Sequence, residues 1–295
     1  MMKLFNILFL LIPILGIGQM MENEKGTIFS DHPFFNEKFI RSVKLKSLTG
    51  TISNKKELGT IKQTGKKQAY FFNENGSLGG SFQVSPKNDT TFIFYEYDKN
   101  KNLIVKRFSD SYGFYSYTYT YNGQNEMVKK VYAREKNANK SKINFQLGEQ
   151  YVVFEEGYKI EATDSSQTKL ILNSNGRPYQ RQQHFYNSLG YLVRVENKLL
   201  INNQVSKEVF VYNEKGLLKS LQHYDHKDTI PTKGFLYNYD EWGNVSFIDE
   251  YRKNVRIKHK EILYDQSNFI LKTILSQDLK TNLITITKFK PEFYN

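Results

Sequence analysis

The chain has 295 residues, 42 Lys and Arg against 30 Asp and Glu, a formal charge of +12, and no cysteine. An aromatic content of 15% argues against a disordered chain despite a mean hydropathy of −0.59. The absence of cysteine excludes disulfides, thiolate metal sites, thiol catalysis and lipid attachment through a cysteine.

Residues 1–18 read as a signal peptide. Lys3 supplies the positive start, Leu4–Ile17 is an apolar run short of a comfortable membrane span, and Gly16-Ile17-Gly18 has the small-x-small cleavage pattern. The mature chain then begins at Gln19 and is periplasmic, cell-surface or extracellular, with no membrane span left after cleavage; an uncleaved anchor is the alternative. The length allows one large domain or two modest ones. With 6 Pro and no Gly/Ser-rich run, no flexible linker is visible, and the polar stretch Glu135–Ser141 is the one candidate seam.

Residues 19–60 form an N-terminal segment. Phe39, Val43 and Leu45 punctuate it as a strand would, whereas Asn36–Ser42 reads alternatively as a short helix.

Residues 61–290 are organised by a recurring turn signal: an aromatic, then Asn or Asp, two variable residues, Gly or Asn, one residue, and an aliphatic. The Asn/Asp positions are Asn73, Asp98, Asn122, Asn173, Asn187, Asn213, Asp240 and Asp265, and the preceding residue is Tyr except at Phe72 and Leu172. Three residues on stand Gly76, Lys101, Asn125, Gly176, Gly190, Gly216, Gly243 and Asn268; five on stand Leu78, Leu103, Met127, Pro178, Leu192, Leu218, Val245 and Ile270. The Asn/Asp side chain can accept a bond from the N–H two residues on and start a turn. The residue three further on must take positive φ to close a hairpin through a type I turn and bulge, which Gly does freely and Asn next best. Lys101 is the misfit. The flanking Tyr and aliphatic leave the turn on opposite strands and pair across it.

The copies lie 25, 24, 51, 14, 26, 27 and 25 residues apart. The long gap suggests a degenerate hairpin at Phe154–Ile160, and the short step leaves room for a single strand, Arg177 to Tyr186, shared by two turns. Nine hairpins with one shared strand give about 17 strands, more than an open twisted sheet sustains flat. The expectation is an all-β antiparallel meander of repeated β-hairpins forming a curved, partly rolled sheet.

The motif, in its best copies Tyr239–Asn244 and Tyr212–Leu218, resembles the tyrosine–aspartate (YD, or RHS-type) repeats of bacterial secreted and cell-surface proteins, from about Tyr70 to Leu275. That resemblance implies a hairpin array, which in large members winds into a shell around a toxin domain. No separate C-terminal toxin domain is visible here, so that role does not transfer.

Chemically the chain offers little. It contains no Gly-x-Ser-x-Gly elbow, no phosphate-cradling loop, and no Ser–His–Asp set that sequence can pair. Adjacent acids at Glu155/Glu156 and Asp249/Glu250 point to opposite faces of a strand, so neither pair can flank one glycosidic bond. His223, Asp225, His226 and Asp228 offer ligands in sequence, but the segment reads first as a solvated loop, and neither metal nor cofactor is implied. Export argues against nucleic acid as a partner. The basic balance suits an anionic envelope polysaccharide or an envelope protein, against the plain reading that strand lysines prevent edge-to-edge aggregation. The function expected is an exported, non-catalytic scaffold binding such a partner. An envelope polysaccharide hydrolase and a toxin-system-associated repeat protein are the alternatives. Candidate ligand residues are Tyr212, Tyr239 and Tyr264, which recur at nearly constant spacing, with Lys219, Arg252 and Lys272 supplying charge.

Overall fold

In seven of the eight motif copies, the Asn or Asp carbonyl or carboxylate oxygen accepts the N–H two residues on; Asp240 Oδ1, for example, takes Trp242 N at 3.0 Å and Asn244 N at 2.8 Å. Asn73 is the exception and bonds Ser77 Oγ instead, through Nδ2. The third position is left-handed in seven copies, from Gly216 at φ +75° and Gly243 at +87° to Asn125 at +61°. Lys101 joins them at +67°, so the turn overrides the residue's own preference. The last copy departs: Phe269, not Asn268, is left-handed (φ +57°), because this turn is one residue longer, with Asp265 N bonding Ile270 O.

The computed structural model describes residues 19–56, 58–84, 89–139, 141–163 and 166–295. The expected signal peptide lies outside these. One short helix, α1 (Glu37–Ser42), precedes β1 (Leu45–Lys56), β2 (Lys62–Phe72), β3 (Leu78–Val84), β4 (Thr90–Tyr97), β5 (Leu103–Ser109) and β6 (Gly113–Tyr121). There follow β7 (Met127–Asn137), β8 (Leu147–Ala162), β9 (Ser166–Leu172), β10 (Pro178–Tyr186), β11 (Leu192–Leu199) and β12 (Val205–Tyr212). The last six are β13 (Leu218–Tyr224), β14 (Lys233–Tyr239), β15 (Val245–Arg252), β16 (Val255–Tyr264), β17 (Leu271–Asp278) and β18 (Leu283–Phe293). Asn36 caps α1, its Oδ1 accepting Lys38 N and Phe39 N, which settles the helix over the strand reading there.

Every strand pairs antiparallel with its neighbours in sequence, and β1 pairs with both β2 and β18. The meander is therefore a closed ring of 18 strands and not a partly rolled open sheet. The expected hairpin at Phe154–Ile160 is absent, since those residues lie inside the 16-residue β8. β10 is the single strand shared by two turns. Within the stretch Glu135–Ser141, residues 135–137 are the end of β7, and β7 pairs with β8 from Lys129 to Asn137.

Seven of the eight motif turns sit at one end of the barrel, the tip end. The eighth, at Asn173, joins β9 to β10 at the far end, and it is the copy that has Leu172 and Pro178 where the others carry an aromatic and, mostly, an aliphatic.

An 18-stranded ring is wide enough to leave a channel, and residues 19–44 fill its tip end. The segment doubles back on itself, Glu22 N bonding Phe34 O and Asn36 N bonding Met20 O. It buries Met20, Met21, Phe34, Phe35, Phe39 and Ile40 against inner-wall residues that include Leu48, Phe72, Leu218 and Leu271. Phe35 lies 4.9 Å from both Tyr70 and Phe72, and Asp31 reaches Lys106 at 3.0 Å. This plug identifies the inner face. The opposite face carries Arg194, Glu196, Lys198, Lys207, Asp249, His259 and Glu261 along the strands. A second, smaller core sits outside β4–β7, where Phe145 of the β7–β8 connection covers Phe94 and Phe114 and the buried Arg107–Glu135 ion pair (2.7 Å).

The plug meets the turns closely. A Cβ at Gly76, φ +91°, would lie 2.0 Å from the Glu37 carbonyl oxygen, whereas one at Gly190, φ +80°, would meet nothing within 4 Å. Gly76→Val should therefore lose roughly 2–4 kcal/mol of stability from strain plus collision, and Gly190→Val only about 1 kcal/mol from strain. Chemical denaturation of the two variants checks this; equal losses would mean that docking of α1 on the tip contributes nothing.

Candidate functional site

The tyrosine of the motif does structural work first. Tyr97, Tyr121, Tyr212, Tyr239 and Tyr264 donate their hydroxyls to the carbonyls of Leu78, Leu103, Leu192, Leu218 and Val245, each the aliphatic of an earlier hairpin, at 2.7–3.0 Å. Tyr294 completes the series on Phe72 O. The three candidate tyrosines do recur around one rim, with their rings packed on the core and their hydroxyls committed to the backbone. Burial pushes all three phenols up, Tyr239 to about 12. The candidate cations are not brought together: Lys219 and Lys272 are exposed at the tip end, and Arg252 is exposed at the far end of β15. Nor do the histidines converge. His226 Nδ1 accepts Val205 N, while His223 faces Glu208 at 3.2 Å. Among the described residues no group of three His, Asp or Glu is placed to hold a metal.

The inner wall holds a different assembly. In β6 the alternation Tyr115, Tyr117, Tyr119, Tyr121 puts four rings on the inner face. Phe108 stacks on Tyr115 (4.7 Å), Tyr117 lies 5.2 Å from Tyr132, and Tyr132 lies 5.3 Å from Phe154. Cations interleave: Lys106 lies between Phe108 and Tyr117, Lys130 between Tyr117 and Phe154, and Arg134 over Tyr115, all 5.4–5.9 Å from ring centres. The strip leads from the plug, at Asp31–Lys106, towards the far end, where Tyr151 and Phe154 are exposed.

Glu156 anchors this wall, accepting from Tyr179 Oη (2.5 Å), Tyr158 Oη (2.7 Å) and Lys130 Nζ (3.0 Å). Burial works against its charge, but these bonds outweigh burial and hold the carboxyl below its ordinary value. Glu155, one residue away, pairs with Lys129 on the opposite face. Lys169 lies 3.8 Å from the Tyr158 ring centre and Lys260 4.8 Å from that of Phe29. Neither has a carboxylate at ion-pair distance among the described residues, and burial lowers both pKa values, Lys260 to about 8.

No protein family model matches the chain, and no curated protein does. Solved structures that resemble it include porin-like proteins from Bacteroides uniformis (12% identity, 85% of this chain and 97% of that one, TM-score 0.38) and Bacteroides vulgatus (10%, 84% and 98%, 0.32). A LolA superfamily protein from Nitrosomonas europaea is also similar (8%, 86% and 91%, 0.17). Likeness at these scores carries no argument about role. The resemblance to tyrosine–aspartate repeats is corrected on two counts: no such family model matches, and the hairpins close on themselves in an 18-stranded ring. The shared residues reflect turn and rim chemistry.

Two consequences are measurable. Tyr239→Phe removes a hydroxyl that donates to Leu218 O and accepts from Asn23 Nδ2, and should cost about 1–2 kcal/mol in denaturation; no loss would make the rim bonds incidental. Lys260 releases its proton in the folded state near pH 8 and, unfolded, near the ordinary 10.5. Between these values the unfolded chain binds more protons, so stability from this group is gained as pH rises and lost as it falls. The gain should be visible from pH 8 towards 10 and flattened in Lys260→Met. Above pH 10.0 the buried tyrosines, with raised pKa values, act in the opposite sense, which bounds the window.

Proposed function

We propose that the chain is a non-catalytic binding barrel of the cell envelope, standing in water, which takes an acidic polysaccharide against the aromatic and basic strip of its inner wall. The observation that carries this reading is the interleaving of Phe108, Tyr115, Tyr117, Tyr132 and Phe154 with Lys106, Lys130 and Arg134. Rings supply flat apolar faces for sugar C–H surfaces, and cations beside them meet carboxylate or sulfate groups.

The polarity of the wall supports the aqueous setting. Each Arg or Lys near the middle of a lipid-facing strand would cost roughly 2–4 kcal/mol, and Arg194, Lys198 and Lys207 all face outwards here. A membrane barrel would place its apolar residues outside. This one places its main core inside, around the plug, with an aromatic cluster outside β2–β7 and charged residues over the outer face of β11, β12, β15 and β16. Among the described residues no helix is long and apolar enough to cross a membrane.

The hydrolase alternative asks for a carboxyl that stays protonated near neutrality to act as general acid. Glu156 is the carboxylate bonded to the strip's Lys130, and its surroundings hold it in the ionised form. That favours a structural, ring-positioning role.

Titration calorimetry with polygalacturonate and with neutral dextran tests the proposal. The acidic polymer should bind at about 0.1 M salt and fade towards 1 M, as the screening length shrinks from about 10 Å to 3 Å; dextran should not bind. Phe154→Ala should weaken binding about fivefold through loss of roughly 1 kcal/mol of stacking. Failure of polygalacturonate to bind at low salt, or equal binding of dextran, would overturn it.

A further inference from the structure

At the tip end, on the other side of the plug from the strip, a cavity of about 520 Å³ opens between residues 19–25 and the hairpins β10–β11 and β12–β13. Glu22, Asn23 and Glu24 border it from the plug; Tyr191, Tyr212 and Tyr239 border it from the wall. Tyr191 and Tyr212 stack at 4.8 Å with 27° between ring planes, and the Tyr191 hydroxyl sits so close over Gly216 that a Cβ there would lie 2.2 Å from it. The absent side chain at Gly216 is what lets this ring pair form the cavity's wall.

Asn23 is 8% exposed, and its Oδ1 has no hydrogen-bond partner. The orientation of this amide follows from its neighbour. The Tyr239 hydroxyl proton goes to Leu218 O, so that hydroxyl can only accept from Asn23, and the Asn23 N–H group must face it at 3.3 Å. The carbonyl is left as a buried acceptor without a donor. Such a group costs about 1–3 kcal/mol.

The formal charges bordering it sum to one negative, Glu22 and Glu24 against Lys25. Glu22 is held above its ordinary carboxyl value by burial first and then by repulsion from Glu24 and Glu37. Lys25 also borders the cavity, and its field acts on Lys169 and His184 of the inner wall. Two carboxylates, an orphan carbonyl and stacked phenol rings form a surround for a positively charged N–H donor with a hydrocarbon body. A bare metal ion would need three or more converging oxygens, and the described residues hold no such group of acidic or histidine side chains.

We propose that this cavity binds a primary alkylammonium ion, the N–H groups meeting Asn23 Oδ1 and the Glu22 and Glu24 carboxylates, the apolar body lying on Tyr191 and Tyr212. The assignment is independent of the inner-wall strip and of any acidic ligand there.

Calorimetry on the mature chain with phenethylamine and 2-phenylethanol, which share a ring and differ in charge, provides the test. Phenethylamine should saturate one site and the alcohol should bind at least about tenfold more weakly, the measure of hydrogen bonds to charged groups. The double variant E22Q/E24Q should lose about tenfold in amine affinity and Asn23→Leu about fivefold, with melting curves confirming that both fold. Equal affinities for amine and alcohol, no saturable amine binding by the unmodified chain, or a folded E22Q/E24Q variant with unchanged affinity would each overturn the proposal. The unmodified chain alone decides the matter if a variant fails to fold.

Discussion

One hydrogen bond, repeated around the tip end, sets the construction of the molecule: a tyrosine hydroxyl donated to the carbonyl of an aliphatic residue one hairpin back. The ladder to the next strand stops two residues short of that aliphatic, at Ser220 for Leu218 and at Phe247 for Val245, which leaves its carbonyl without a strand partner. The phenol reaches across the wall to satisfy it, and in doing so lays its ring inward. Register, spacing and inward aromatics are thus tied together, because shifting a strand by one residue would take the ring out of the core and the hydroxyl off its carbonyl. The rim becomes a rigid, aromatic-lined collar on which the plug can seat.

Closure imposes a second condition. An antiparallel ring must contain an even number of strands, since an odd count would force one parallel pair. The count near 17 took β8 for the two strands of a hairpin and left out β1 and β18, which flank no motif turn. The ring then needs filling, and residues 19–44 do so with side chains that no secondary-structure period would select. Arrangement of polarity follows from this filling: at the tip end apolar and aromatic groups turn inward to meet the plug, while on β11, β12, β15 and β16 charged residues line the outer face.

The turns were legible from sequence because their chemistry is local: an Asx acceptor and a left-handed residue within four positions. Even the misfit Lys101 proved to be a turn residue, which local preference alone would not predict. Phe269 was missed because one additional residue in that turn moves the left-handed position past Asn268. Closure and the plug were not legible, since the pairing of β1 with β18 and the burial of Met20 or Phe34 depend on contacts far apart in the chain. The inner-wall strip did leave a trace. Tyr115–Tyr121 alternates tyrosines with small residues, a period-2 signal of one aromatic face, but whether that face looks inward is decided only when the ring closes. The candidate tyrosines were chosen for their recurrence, and recurrence marked the rim bond.

The seam between β1 and β18 has a kinetic meaning. Its partners come from opposite ends of the chain, with Leu45 set beside Phe293, so the last ladder to form carries the largest loop-closure entropy in the molecule. Until it forms, the meander has two raw edges and an unseated, phenylalanine-rich leading segment. Pairing so distant in sequence slows folding, and an open seam leaves two strand edges that can pair with other copies. Unlike the seventeen other ladders, which join strands consecutive in sequence, this one can form only when the first and last strands are both present.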